Sequence, residues 1–203
     1  MALTDRGRLQ PGETVLALGA TGAVGGAVVQ LAKAMGAGRV LAGISSVEKF
    51  GGPHRAAADA FIDLSQPDMK ASIRQQIFKV NDGAGVDMVI DPLGGDAFEG
   101  ALRALAWRGR LVVVGFAAGR IPTLKVNYVL LKNVEVSGLQ ISDYRKRTPE
   151  LMSECYRQLF QFFEQGAVQP PPSTAIPLSD WRSAMEALES RTTPVRVILL
   201  PQR

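Results

Sequence analysis

The feature that most constrains this chain is a regular alternation of short apolar runs with segments of helical period, the runs bounded by Gly, Pro, Asp or Asn. The runs are Thr14 to Gly19 (TVLALG), Arg39 to Ile44 (RVLAGI), Ala60 to Asp63 (AFID), Val86 to Asp91 (VDMVID), Arg110 to Phe116 (RLVVVGF) and Val134 to Gly138 (VEVSG). Helical patterns fall between them at about 24–36, 47–57, 68–80, 96–107 and 123–131. Strands that are apolar along their whole length must be covered on both faces, which is what crossover helices do for a parallel sheet. The expected fold is therefore α/β, a doubly wound six-stranded parallel sheet of dinucleotide-binding type. After Gly138 the rhythm breaks. A helix opens at Thr148-Pro149-Glu150 and stops at Gln165-Gly166, and Gln169-Pro170-Pro171-Pro172-Ser173 reads as a stiff connector. A helix from Ser179 to Ser190 and a strand from Val195 to Leu200 follow. The expected organisation is a core over 1–145 and C-terminal helices and strand over 146–203 belonging to the same domain, a tail with no obvious seat in a sheet already covered on both faces.

Composition removes several classes of function. With 203 residues, 46% hydrophobic and 21% charged, the chain can bury a core and is not a disordered tail. No apolar run approaches the roughly 18 residues that span a bilayer, and the segment Met-Ala-Leu-Thr-Asp-Arg carries no signal core. No membrane association and a cytoplasmic location are expected. The single Cys155 and single His54 cannot form a disulfide or supply the ligands of a zinc site. Cys155 is expected as a buried thiol in an amphipathic helix, and His54 as a surface loop residue. The net charge of +4 is scattered apart from Arg145-Lys146-Arg147, and aromatics are only 6%, without a stacking platform beside basic residues. This argues against nucleic acid and leaves a phosphorylated small molecule as an anionic partner.

The first run leads directly into Gly19-Ala20-Thr21-Gly22-Ala23-Val24-Gly25-Gly26 and an Ala/Val/Leu-rich helix. That is the strand–turn–helix context of a dinucleotide fingerprint, with glycines at 19, 22 and 25 and Ala20 where the strict pattern has a second glycine. Gly22 leaves room for a pyrophosphate, Gly25 lets helix and strand approach, and the helix N-terminus offers free N–H groups. The alternative is a tight βα turn with no ligand. At the end of the second strand, where an NAD site holds the ribose with Asp or Glu, the chain reads Ile44-Ser45-Ser46-Val47-Glu48-Lys49. The hydroxyls of Ser45 and Ser46 with Lys49 one turn on suit a 2′-phosphate, which favours NADPH over NADH. The alternative is that a serine caps the next helix and Lys49 is solvated. Pro92 and Leu93 after the fourth strand, and Gly115 and Phe116 at the end of the fifth, belong to the same ligand-bearing edge. No catalytic acid stands out: Asn127, Tyr128 and Tyr144 are polar but read more readily as packing or surface residues.

Together these residues resemble the cofactor-binding half of the quinone oxidoreductase (zeta-crystallin-like) branch of the medium-chain dehydrogenase/reductase superfamily. The resemblance rests on Leu9 to Val15, the Gly19 to Gly25 turn, Ser46 to Lys49, Gly85 to Pro92, Gly109 to Phe116 and Leu131-Lys132-Asn133, in order along essentially the whole chain. It implies an NADPH-binding oxidoreductase domain that works without zinc and passes hydride to quinones or activated carbonyl or alkene acceptors. It also implies that the Gly22 to Gly25 turn meets the pyrophosphate, that Lys49 meets the 2′-phosphate, and that the segment around Gly115 and Phe116 lies near the nicotinamide; Gly19, Thr21, Gly22, Ala23, Val24 and Gly25 are the cofactor-binding candidates of the turn. The chain departs from the family at Leu64, where a tyrosine is common, at Gly51-Gly52-Pro53, and at Pro194-Val195-Arg196 near the C-terminus.

The family carries a GroES-like catalytic domain of about a hundred residues, an ordinary domain size, ahead of this region. Without it, one wall of the active-site cleft and the groups that orient an acceptor are missing, so the chain alone is expected to be weakly active or inactive. The alternative function is a non-catalytic NADPH-binding module acting as a redox sensor or RNA-binding interaction protein. The last run of the sheet, 134–138, alternates Val with Glu and Ser, a pattern suited to pairing with a second copy in a homodimer.

Overall fold

The structure, a computed structural model, describes residues 1–47, 50–190 and 196–201. It falls into two compact units, Met1–Val168 and Gln169–Arg203. The first begins with a helical stretch, Ala2–Arg6, and continues as β1 (Thr14–Ala17), α1 (Ala23–Ala34), β2 (Arg39–Ile44), α2 (Gly52–Ala57), β3 (Ala60–Asp63), α3 (Met69–Val80) and β4 (Val86–Asp91). It ends with α4 (Gly95–Ala104), β5 (Leu105–Val113), α5 (Val126–Lys132), β6 (Glu135–Gly138), α6 (Ile141–Arg147) and α7 (Pro149–Glu164).

The six strands form one sheet in the order β3-β2-β1-β4-β5-β6, every pairing parallel. This is the expected doubly wound fold. The chain winds outward one way through β2 and β3 and the other way through β4, β5 and β6, so the switch of direction lies between β1 and β4, where folds of this kind bind ligands.

Side-chain alternation divides the core between the two faces. Leu16 of β1, Leu41 of β2, Val89 of β4 and Leu111 of β5 pack with Ile73 and Ile77 of α3 and Phe98 and Ala101 of α4. Their sequence neighbours Val15 and Ala17, Val40 and Ala42, Met88 and Ile90, and Val112 pack on the opposite face with Val28, Val29 and Ala32 of α1. Both faces are dry, which is why these strands are apolar at every position rather than at every second one. Local geometry partners one of the polar side chains inside. Asn81, 8% exposed, sends its amide to the carbonyls of Ala84 and Gly85 and accepts from Arg39, tying the turn after α3 to the start of β2.

Several boundaries differ from the sequence expectation for identifiable reasons. The fifth strand starts at Leu105, inside the segment expected to be helical, because Leu105 pairs with Val86 before the ladder shifts register around a left-handed Arg108 (φ 63°). The helix expected over 47–57 occupies only Gly52–Ala57, entered through Gly52 at φ 61° with Pro53 in its first turn. His54 lies in this helix rather than in a loop, half-buried, with Nδ1 3.0 Å from the Gln30 amide of α1. Cys155 is only partly buried. The basic helix α6 has no apolar period and was not expected.

The second unit is a two-stranded parallel sheet with its own crossover: β7 (Ser173–Pro177), a 3-10 turn at Leu178–Asp180, α8 (Trp181–Glu189) and β8 (Arg196–Leu200). β7 was hidden in the sequence by the prolines that flank it. The register runs from Ser173 against Arg196 to Pro177 against Leu200. Val195, placed in the last strand from sequence, lies outside the described residues. Among the described residues no helix is long and apolar enough to cross a membrane.

Leu16 is fully buried in the central strand, so Leu16→Ala should lower unfolding free energy by roughly 2–5 kcal/mol, the range for core leucine truncations. Urea unfolding followed by circular dichroism reads this. A loss no larger than that for Leu199→Ala, at a site 37% exposed, would contradict the core assignment.

Candidate functional site

Three loops meet at the carboxyl edge of the sheet beside the β1/β4 switch point. The first follows β1. Gly19 adopts φ 63°, and its carbonyl accepts from Gly22 N–H at 2.9 Å, closing a tight turn that Ala20 pins to β2 by donating to the Gly43 carbonyl. Gly22 is the residue preceding α1 and supplies no side-chain cap. Thr21, Gly22, Ala23 and Val24 are all exposed, so the first amides of a 12-residue helix face solvent with the positive end of its dipole. Gly25 is fixed by sterics: a Cβ there would lie 2.6 Å from the Leu18 carbonyl oxygen and closer still to that of Gly19. Only glycine lets α1 start this near the strand.

The second loop follows β4. Asp91 is fully buried, and its Oδ1 accepts from Leu93 N–H at 2.8 Å and Gly94 N–H at 2.9 Å. Its other oxygen, Oδ2, has no partner. Burial pushes the carboxyl above the usual aspartate range, against the pull of the Gly94 and Leu93 amides. The third loop follows β5 and is stitched to the second: Val114, Ala117 and Ala118 donate to the carbonyls of Asp91, Pro92 and Leu93, and Gly95 donates to that of Arg120. Leu93 reaches back to the first loop, since its side chain would crowd any Cβ on Gly19, and Phe116 does the same at Gly94.

Among the residues expected to bind cofactor, Gly19, Thr21, Gly22, Pro92, Leu93, Gly115 and Phe116 thus lie on three adjoining loops and Ala23, Val24 and Gly25 in the first turn of α1, Phe116 being 43% exposed. Ser45 and Ser46 follow the end of β2 on the same edge, Ser45 exposed and Ser46 partly so. Lys49 lies outside the described residues. Tyr144 takes no place here, since its hydroxyl donates to Asp5, and Tyr128 stands under the Arg103 guanidinium.

Two contributors carry no motif that would have revealed them. Asp91 looks from sequence like the last residue of a strand, yet it is the buried acceptor that shapes the second loop. Arg120, absent from any pattern, bridges Asp96 and Glu99 at the start of α4 and so anchors the third loop. The glycines of the turn and the strand–turn–helix order were legible; a salt bridge from a loop back to an earlier helix was not.

The donor set of the edge fits a dinucleotide: an uncapped helix N-terminus for a pyrophosphate, hydroxyls at the end of β2, and backbone with apolar side chains at the ends of β4 and β5. It does not fit a metal ion. Among the described residues no three of His, Cys, Asp and Glu come together to hold one.

Because the neutral form of Asp91 is favoured in the fold, its contribution to stability is fully present below about pH 3.8, the ordinary aspartate value, and is lost as pH rises through the raised folded value. Asp91→Asn keeps an acceptor for both amides without the charge. Its stability relative to the parent chain should therefore increase between acidic and neutral pH, measured by urea midpoints across that window, and a pH-independent difference would contradict the raised carboxyl.

Comparison with known proteins agrees with this geometry. Residues 23–158 match the family described as zinc-binding dehydrogenase. The chain is 34% identical to quinone oxidoreductase-like protein 2 of Rattus norvegicus over 98% of its own length and 56% of the rat protein. It thus spans about half the length of the curated relatives it matches. Among solved structures, mycobacterial Rv1454c complexed with NADPH superposes with a TM-score of 0.84 at 29% identity, covering 98% of this chain and 61% of that one. A Pseudomonas syringae quinone oxidoreductase gives 0.80 at 27%, covering 98% and 60%. The match over most of the first unit, on a sheet ordered β3-β2-β1-β4-β5-β6 with a glycine turn at its switch point, makes the chain a member of the zinc-binding dehydrogenase family, the cofactor-binding domain of a quinone oxidoreductase-like medium-chain dehydrogenase/reductase.

Proposed function

We propose that this chain binds NADPH at the carboxyl edge of its sheet and presents it for reduction of a quinone or another activated carbonyl or alkene acceptor, without zinc. The observation that carries this is the exposed, uncapped start of α1 directly behind the Gly19 turn. The likeness to a protein solved with NADPH supports it. When bound, the reduced nicotinamide supplies the hydride.

The chain's own residues would then act by position and field. The amides of Ala23 and Val24, with the Thr21 hydroxyl, hold the pyrophosphate, and Gly22 and Gly25 keep that surface free of side chains. Ser45, Ser46 and Lys49 hold the 2′-phosphate, a group that NADH lacks. Pro92, Leu93, Gly115 and Phe116 flank the nicotinamide, where Leu93 and Phe116 shield one side from water. Tyr144 is committed to Asp5, so no acid is assigned among the residues of this edge. Turnover is accordingly assigned to the pairing of this domain with a GroES-like domain that supplies the second wall, with residues 146–203 as part of the surface that receives it, and the 203 residues alone should turn over weakly or not at all. A homodimer through the edge strand at 134–138 belongs to the same proposal. It is supported by α5, the helix that leads into that strand, which exposes Val126, Leu130 and Leu131 at 73%, 77% and 74%. A cytoplasmic location goes with it.

Titration with NADPH and NADH in parallel, followed by nicotinamide fluorescence, tests the cofactor assignment. NADPH should bind about tenfold tighter or more, a difference of about 1.4 kcal/mol, and Lys49→Ala should erase the preference. If neither nucleotide binds, the edge is not a cofactor site in this chain and a non-catalytic interaction role replaces the reading. Sedimentation equilibrium tests the homodimer, which a monomer mass at all concentrations would exclude.

A further inference from the structure

A second anion-binding arrangement lies away from the cofactor edge, in a groove of about 410 Å³ lined by Lys70, Ala71, Arg74 and Gln75 of α3, Arg103 of α4, and Tyr128 and Lys132 of α5. None of these residues belongs to the loops around Gly19, Ser45, Leu93 or Phe116. Four of the seven are cationic and none is acidic. We propose that this groove is a binding site for a small phosphate-bearing ligand, a phosphomonoester or diphosphate group held by Arg74, Arg103 and Lys132.

The charge balance motivates the assignment. Lys70 is neutralised by Glu99 at 2.9 Å and Asp96 at 3.3 Å. The other three cations make no ion pair with any other described residue. Lys132 instead donates to the carbonyls of Arg103 and Leu105 at 2.7 and 2.8 Å, which seats its ammonium at the carboxyl end of α4 and leaves one donor unspent. Burial, and secondarily the charge of Arg74, push the Lys132 ammonium below the usual lysine range. Concentrated positive charge without a counter-charge is a cost that a multivalent anion removes.

The two guanidiniums are also pre-positioned. Arg74 lies 4.5 Å over the Phe78 ring and Arg103 lies 5.8 Å over the Tyr128 ring. Stacking holds a planar guanidinium while leaving its N–H edge free, the state in which it binds phosphate at least entropic cost. Neither side chain makes a hydrogen bond to another described residue. Gln75 and Tyr128 add neutral donors to the wall. The groove is a short cluster and not a stripe, and its one aromatic ring is covered by Arg103. This favours a compact anion over a nucleic acid strand, which needs an extended track and open stacking faces.

The test is calorimetric titration of the 203-residue chain with pyrophosphate at constant ionic strength, comparing wild type, Arg74→Gln/Arg103→Gln and the control Lys79→Gln, which lies on α3 outside the groove. Whatever the start of α1 takes up, a site is expected whose affinity falls about tenfold or more in the double variant and is unchanged in the control. Equal affinity in all three proteins would place the anion elsewhere, at the start of α1 for instance, and overturn the proposal. NMR of the Lys132 ammonium in the wild-type chain gives a readout that needs no variant: its resonance should move on addition of pyrophosphate, and an unmoved resonance at saturation would equally overturn the site. Binding of a single-stranded oligonucleotide that depends on Arg74 and Arg103, with no binding of pyrophosphate, would refute the small-ligand assignment.

Discussion

The approach of α1 to β1 sets the geometry on which the rest of the edge depends. At Gly25 the helix backbone lies so near the Leu18 and Gly19 carbonyls that no side chain can intervene. Small residues continue the contact, with Ala32, Ala17, Ala20 and Ala42 all buried on that face. Close packing over this length fixes the helix axis, and the axis in turn aims the free amides of Ala23 and Val24 at the switch point. A helix held further out by one methyl group would still cover the sheet, but its dipole would point elsewhere. Packing and ligand geometry are here one constraint.

A different physics holds the neighbouring loops. Asp91 is a buried carboxyl whose neutral form the fold favours, and its Oδ1 fastens two backbone amides that would otherwise be unpaired in the interior. From that point the backbone of Pro92 and Leu93 becomes the template for Ala117 and Ala118, and Arg120 closes the far side through Asp96 and Glu99. The surface ion pairs contribute little energy singly. Their effect is to choose one conformation of the 114–122 loop, on which the position of Phe116 depends.

What could be foreseen follows from the range of the interactions involved. Strand identity, the doubly wound class and the glycine turn are set by local pattern and by the requirement that both sheet faces be covered, so the runs from Val15 to Ile90 could be read as buried strands from their continuous apolarity. The start of β5 at Leu105 depends on pairing with Val86 and on a left-handed Arg108, neither of which leaves a local trace. β7 failed for the same reason: Ser173 to Pro177 is a strand only because Arg196 to Leu200 lies beside it. At the edge, glycines announced themselves while Asp91 and Arg120 did not, because a carboxylate or guanidinium looks the same in sequence whether it faces water or organises a loop. His54 shows the converse. Its glycine- and proline-rich surroundings suggest a loop, yet the segment folds against α1 and commits the imidazole to Gln30.

The two anion-directed features differ in the kind of charge they use. The start of α1 offers partial charges only, in amides whose positions the sheet dictates, and formal charge is absent from Thr21 through Gly26. Such a site binds through oriented hydrogen bonds that salt weakens little at short range. The groove between α3, α4 and α5 relies on whole charges carried by side chains that reach solvent, and its attraction falls as the Debye length shortens, about 10 Å at 0.1 M salt and about 3 Å at 1 M. A pyrophosphate held by the first alone and a phosphate held by the second would therefore separate by their salt dependence as well as by the residues they need. The separation follows from the sequence between Thr21 and Gly26, which holds no arginine or lysine, and from the gathering of Arg74, Arg103 and Lys132 in the groove without an ion-pair partner among the described residues.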